Sequence, residues 1–183
     1  MGIVSETLKF EIPPKEKVQL LVKQGKNRSD FFSEIADCCQ GAADADRAIC
    51  LAAVNQITKE DPEFVKNHLD FIISQLDSRS AQVKLEAGDI IGRAARTSPD
   101  QAALAIPRLM QIIGSDASIV RESAAYALAE IAKCNKDTRK ELIKFFKSEA
   151  KKEKISSVRN LYLDALTALG KGKPQNTSSP ETS

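Results

Sequence analysis

The sequence predicts an all-α protein, a right-handed α-α superhelix of about four antiparallel helix pairs behind an N-terminal capping helix. Three observations carry that expectation. First, four segments that begin at a basic residue, Arg47, Lys84, Arg121 and Arg159, align at spacings of 37, 37 and 38 residues, and a fixed period of this size marks a repeat architecture. Second, apolar residues in each segment fall three, seven and ten places after the anchor, which is one buried stripe of an α-helix. Those columns read Cys50, Ala87, Ala124, Tyr162, then Val54, Ile91, Leu128, Leu166, then Ile57, Ala94, Ile131, Leu169. Third, aromatic residues make up only 5% of the 183-residue chain and Trp is absent, a composition that favours closely spaced helices over a β-sandwich.

The elements follow in order. Residues 1–12 alternate Leu8, Phe10 and Ile12 with charge and form an N-terminal segment without an assigned structure. Residues 13–26 read as a lone amphipathic helix closed by Gly25, suited to cover the front of a stack, where a terminal unit needs a polar outer side. The helix pairs occupy about 29–59, 62–97, 99–133 and 135–170, with first helices near 29–40, 62–76, 99–113 and 136–152. Pro62 and Pro99 are 37 apart and suit a first helical turn; Asp61 and Ser98 before them are good N-cap types. Turns fall at 41–44, 77–80 and 114–116. The second helices start near the anchors, and small residues along them such as Ala53, Ala127 and Ala165 allow close helix approach. The tail 171–183 has no apolar periodicity and is expected to be disordered.

One unit carries a family pattern. Pro107 lies within a first helix, Asp116 precedes the pair Val120 and Arg121, and Ala124 and Leu128 follow at fixed steps. This arrangement resembles the HEAT repeat. The second unit keeps Val83, Lys84 and Ala87 but has Asp70 where Pro107 stands, and the fourth keeps Val158 and Arg159. The first has Asp46 in place of the valine and diverges most. The resemblance covers roughly residues 29–170. It implies a structural ladder between repeats, built here from Arg47, Lys84, Asp116, Arg121 and Arg159, with Asp44, Asp77 and Glu153 as further acids. It also implies that the second helices line a concave, partner-binding face.

Composition narrows the function classes. No run of about 18 apolar residues occurs, so no membrane span is expected. The N-terminus lacks the pattern of a secretory signal, and Glu6 stands where a myristoylation signal needs Ser or Thr; a cytoplasmic protein is expected. Cys38, Cys39, Cys50 and Cys134 show no CxxC or zinc-like spacing, which reads as reduced thiols, with at most one of the adjacent pair deep in the core. The single histidine, His68, has no neighbouring ligand or nucleophile in the sequence and is expected at solvent or a turn. The repeated His-Glu pairs of HEAT-like metal hydroxylases and the Trp-lined clefts of HEAT-like DNA glycosylases are both missing. Gly170 and the residues after it do not form a phosphate loop. No enzyme activity, metal or cofactor is expected.

Binding surfaces are therefore the functional candidates. Helical periodicity turns Asn55, Asp89, Arg93, Glu122, Tyr126, Glu130, Asn160 and Asp164 away from the core of the second helices, and Tyr126 is the aromatic residue suited to anchor a protein or peptide partner. A second basic column, Lys59, Arg96, Lys133 and Lys171, falls at helix C-termini, where cations complement the dipole and where a rim could also take an anion. Charge is uneven: residues 27–132 hold 10 Lys/Arg against 16 Asp/Glu, whereas residues 133–173 hold 12 against 5. A nucleic-acid binder using the rim and the basic last repeat is the alternative to a protein-binding scaffold.

Overall fold

The computed structural model describes residues 2–26, 28 and 30–170, and every described element is helical. The predicted tail, Lys171 and the expected helix start at Ser29 lie outside the described residues. The second helices are long and unbroken: α4 spans Asp44–Glu60, α6 Ala81–Ala94, α9 Ser118–Cys134 and α11 Ser156–Gly170. They stack side by side, each against the next, with α2 (Pro14–Gly25) covering α4. The first helices form the other layer.

The apolar columns are what hold the two layers together. Cys50, Ala87, Ala124 and Tyr162 are all buried, as are Val54, Ile91 and Leu128, and Ile57, Ala94 and Ile131. In α11 the columns loosen, with Leu166 and Leu169 only half-buried, because among the described residues no further helix covers this one. Tyr162 occupies a position where the other repeats carry a small residue. Its ring takes the space of the last helix pair, 5.8 Å from Phe146 and 6.4 Å from Phe145.

The first-helix layer departs from the expected continuous helices. Residues 29–40 give α3 (Phe31–Gly41) and residues 136–152 give α10 (Lys136–Lys152). The stretch 62–76 instead runs as a 3-10 helix, Pro62–His68, then α5 (Leu69–Ser74), then a 3-10 turn, Gln75–Asp77. The break falls at His68, whose backbone leaves the helical region at φ −129° and ψ 11°. Contrary to expectation, the His68 ring is stacked on Phe32, with centroids 3.9 Å apart and planes 7° apart. The stretch 99–113 divides into α7 (Pro99–Ala103) and α8 (Ile106–Ile112). Pro107 lies in the first turn of α8, where its missing N–H costs nothing, whereas within one continuous helix it would remove a hydrogen bond.

One of the two predicted caps forms. Asp61 accepts from the Glu63 N–H at 3.1 Å as expected, but Ser98 makes no cap bond and its buried Oγ has no partner among the described residues. Ser80 and Asn135 cap α6 and α10 instead, Asn135 accepting from the Asp137 and Thr138 N–H groups at 3.1 Å.

The front of the stack is a helix pair rather than a lone capping helix. Residues Ile3–Lys9 form α1, which packs on α3 just as α2 packs on α4. Val4 and Thr7 are buried, one turn apart on the same side. The Val4 N–H donates to Glu34 Oε2 at 3.2 Å, and Thr7 Oγ1 donates to Gln24 Oε1 at 3.3 Å. The alternation of Leu8, Phe10 and Ile12 hides this helix, since Phe10 and Ile12 lie beyond its end. Cys39 and Cys50 are buried, Cys38 and Cys134 half-buried, and all four thiols are unpaired.

Candidate functional site

The seam between α6 and α9 places the candidate site. Gly88 and Gly92 lie one turn apart on α6, against Ser123 and Tyr126 of α9. A Cβ on Gly88 would meet Ser123 Oγ at 2.8 Å and the Ser123 carbonyl carbon at 3.3 Å. One on Gly92 would run into the Tyr126 ring and come within 3.2 Å of the Ala127 Cα. Two glycines this close inside a helix sacrifice about 1 kcal/mol each in helix propensity, so close backbone approach is what they supply. That approach brings Tyr126 over α6, with the Arg93 guanidinium carbon 6.0 Å from its ring centroid.

From this contact a polar network runs across the second-helix layer. Arg93 donates to Asn55 Oδ1 at 3.0 Å and lies 3.9 Å from Asp89 Oδ2. The Asn55 amide donates to Glu86 Oε2 at 2.7 Å, and Gln82 donates to Glu86 Oε1 at 2.7 Å. Burial raises the pKa of Glu86, against the pull of these two donors. Burial likewise raises Asp89, with Arg93 opposing it, and raises the Tyr126 phenol.

Beside the network an open groove of about 390 Å³ lies between α6, α9 and α11. Leu85, Ile119 and Leu161 give it apolar walls, and Asp89, Arg93, Glu122 and Tyr126 give it polar and aromatic ones. A smaller hollow of about 150 Å³, lined by Lys59, Arg96, Arg93 and Tyr126 among others, adjoins it through the last two residues. The groove brings four predicted binding residues together, and Asn55 joins them through Arg93. Asn160 and Asp164 are exposed on α11 and do not line the groove.

Glu130 corrects the expectation of an exposed binding residue. It is buried, receives Arg96 at 3.3 Å and Lys133 at 2.6 Å, and so belongs to the α6–α9 junction. The same contact changes the basic rim: of Lys59, Arg96 and Lys133, two are engaged by one carboxylate.

The anchor column is likewise not a continuous inter-repeat ladder. Arg47, Arg121 and Arg159 each donate to a backbone carbonyl five or six residues earlier, holding the turn before their own helix. The Lys84 side chain makes no hydrogen bond or ion pair among the described residues. Asp116 contributes its carbonyl to Arg121 rather than its carboxylate. Asp77 pairs with Arg108 at 3.0 Å instead of Lys84. Only Arg121 reaches the next repeat, donating to Glu153 Oε2 at 3.0 Å and Oε1 at 3.3 Å. A ladder does exist, but on the second-helix side. Lys26 meets Glu60, Asn55 meets Glu86 and Arg93, Arg96 meets Glu130, and Ser157 meets Glu122, so that each junction has at least one contact.

Sequence periodicity missed Glu86, Leu85, Ile119 and Leu161 as site residues. The pair Gly88 and Gly92 was the signal available, because glycines a turn apart within a helix imply a close neighbour.

Among the described residues no group of His, Cys, Asp and Glu is placed to hold a metal, and no helix is long and apolar enough to cross a membrane. No family model matches the chain, and no curated protein sequence matches it significantly. Solved structures do. An engineered protein from the Northeast Structural Genomics Consortium aligns at a TM-score of 0.71 with 18% identity, covering 92% of this chain and 80% of that one. The fold is a HEAT/armadillo-like helical repeat. A second engineered protein from the same consortium aligns at 0.64 with 16% identity, over 90% and 78% of the two chains. A designed armadillo repeat protein covers 91% of this chain and 98% of its own at 13% identity, with a TM-score of 0.40. At these identities the likeness concerns the HEAT-like fold alone.

Proposed function

We propose that this HEAT-like chain is a non-catalytic binding module that holds a protein or peptide segment on its second-helix face. The groove between α6, α9 and α11 carries the reading. It sets three aliphatic side chains beside one aromatic, one guanidinium and two carboxylates, and a mixture of apolar anchors with a few oriented polar groups is what segment recognition uses. Ile119 is 41% exposed, so apolar area remains for a partner to cover. The polar network behind the groove fixes Asn55, Arg93 and Tyr126 before any ligand arrives, which lowers the ordering cost of binding. The alternative, nucleic acid on the rim of this face, is less well supported, because Glu130 already engages both Arg96 and Lys133 and offsets part of their charge. The reading places the chain in the cytoplasm, which suits four unpaired thiols.

The test is a selection of peptides from a random library on the immobilised protein, followed by titration against variants. Tyr126→Ala and Ile119→Ser should each weaken the selected peptides about tenfold or more, while Gln111→Ala on the outer layer should change nothing. Peptides that bind all three variants equally would place recognition elsewhere and refute the reading.

A further inference from the structure

The outer helix of the last repeat carries a feature that the groove does not use. Helix α10 holds seven Lys or Arg against three acids. Five of the cations, Lys136, Lys140, Lys144, Lys147 and Lys151, are exposed and recur at steps of four, four, three and four residues. At 100° per residue this spacing confines them to an arc of about 80°, over an axial length of about 22 Å. Leu142 and Phe146 lie away from this arc and are buried in the core.

Like charges one turn apart repel, so such a row is costly unless acids relieve it. Asp137 and Glu141 have the i,i+3 spacing to pair with Lys140 and Lys144, yet neither does so. None of the five lysine ammonium groups has an ion-pair or hydrogen-bond partner among the described residues. The two remaining cations of the helix are engaged: Arg139 donates to the carbonyls of Ala132 and Lys133, and Lys152 to Glu149. The row is therefore a straight, unneutralised line of charge on a rigid helix.

From this geometry we infer that the exposed side of α10 binds the phosphate backbone of a duplex nucleic acid without reading its sequence. A line of ammonium groups with one charge per turn complements a polyanion of regular charge spacing, and its affinity comes from counterion release. The side chains of the row exclude the other polyanions. The apolar side of α10 is spent on the protein core, so none is left to enter a membrane as interfacial helices require. No exposed aromatic accompanies the lysines to stack unpaired bases, which argues against a single strand. Nor does a buried anchor accompany them, as an acidic peptide would need for a hot spot. The surface lies on the outer layer, so it operates independently of the groove.

The experiment titrates the full chain against two fluorescent 20-base-pair DNA duplexes of unrelated sequence across a salt series. Both should bind alike, with log Kobs falling against log salt at a slope of about −4 to −5, which is roughly a 500-fold loss between 50 and 200 mM. Lys140→Gln, Lys144→Gln and Lys147→Gln together should cut the slope to about −2. The same three positions changed to Arg should keep it. Removing three cations elsewhere, with Lys15→Gln, Lys23→Gln and Arg79→Gln, should leave the slope unchanged. Circular dichroism confirms that each variant remains helical. The inference fails if duplex binding is undetectable at 50 mM salt, if the control set lowers the slope as much as the α10 set, or if phosphatidylserine vesicles, single-stranded DNA or polyglutamate bind α10 more tightly than the duplex.

Discussion

Gly92 of α6 lies directly beneath the ring of Tyr126 on α9, leaving no room for a Cβ. The contact joins stability to the shape of the groove, because the same tyrosine lines it and sits under the guanidinium of Arg93. Gly92→Ala should therefore destabilise the chain by about 1–3 kcal/mol, although alanine in an open helix site would stabilise it by about 1 kcal/mol. Thermal denaturation measures the sign. In a Tyr126→Ala background the same change should cost less, because the ring has gone.

Arg121 and Glu153 form the one side-chain bond that leads from the anchor column to the next repeat, and both are largely shielded. Arg121→Ala should cost about 2 kcal/mol, and a double-mutant cycle with Glu153→Ala should give a coupling of about 1 kcal/mol. For the Glu153 carboxyl, burial is the largest single influence and raises its pKa. The hydrogen bond from Arg121 and those from the backbone together outweigh it, and the pKa ends below its usual value. The contribution is accordingly full above the unfolded pKa and disappears as the pH falls through the lowered folded one. A coupling that stays constant on acidification would contradict this.

Glu86 behaves in the opposite sense. Burial raises its folded pKa, so between the unfolded and folded values the folded state holds the extra proton. Stability from this group is therefore lost as the pH rises through that window. Denaturation midpoints of Glu86→Gln, compared with the parent between pH 4 and 7, should show the variant gaining relative stability as the pH rises. Equal midpoints throughout would show that Asn55 and Gln82 fully compensate for burial.

Tyr162 fills the last helix pair with its ring, but its buried hydroxyl has no partner among the described residues. Tyr162→Phe keeps the packing against Phe145 and Phe146 and removes a polar atom that lost its water on folding. An increase of about 1 kcal/mol in unfolding free energy is expected from chemical denaturation.

Deleting residues 135–183 removes α10 and α11 while leaving the seam between α6 and α9 intact. In a stack where each unit touches only its neighbours, the remainder should stay helical and cooperative, with a lower midpoint. Complete loss of helical signal would mean that the stack folds as one indivisible body.

What the sequence made legible was set by burial repeating at a fixed period. The columns headed by Cys50, Val54 and Ile57 locate all four second helices, because helical geometry alone relates the residues of a buried stripe. Contacts between helices are another matter. Glu130 follows the exposed periodicity yet is buried, with Arg96 reaching it from the turn after α6 and Lys133 from its own helix. The family resemblance implies a ladder between repeats for the anchor arginines, whereas a guanidinium near a helix start finds the carbonyls of its own turn within easier reach. Helix α1 escaped because two buried residues, Val4 and Thr7, make too short a stripe to register as a period.

The broken first helices give the fold a mechanical asymmetry. One layer consists of unbroken rods tied together at every junction. The other is jointed at His68 and again between Ala103 and Ile106. When such a two-layered strip flexes, the tied layer keeps its length and the jointed layer must stretch or shorten. Curvature is then adjusted at joints remote from the groove, and the spacing between α6 and α9 that shapes the groove is preserved while the strip as a whole bends.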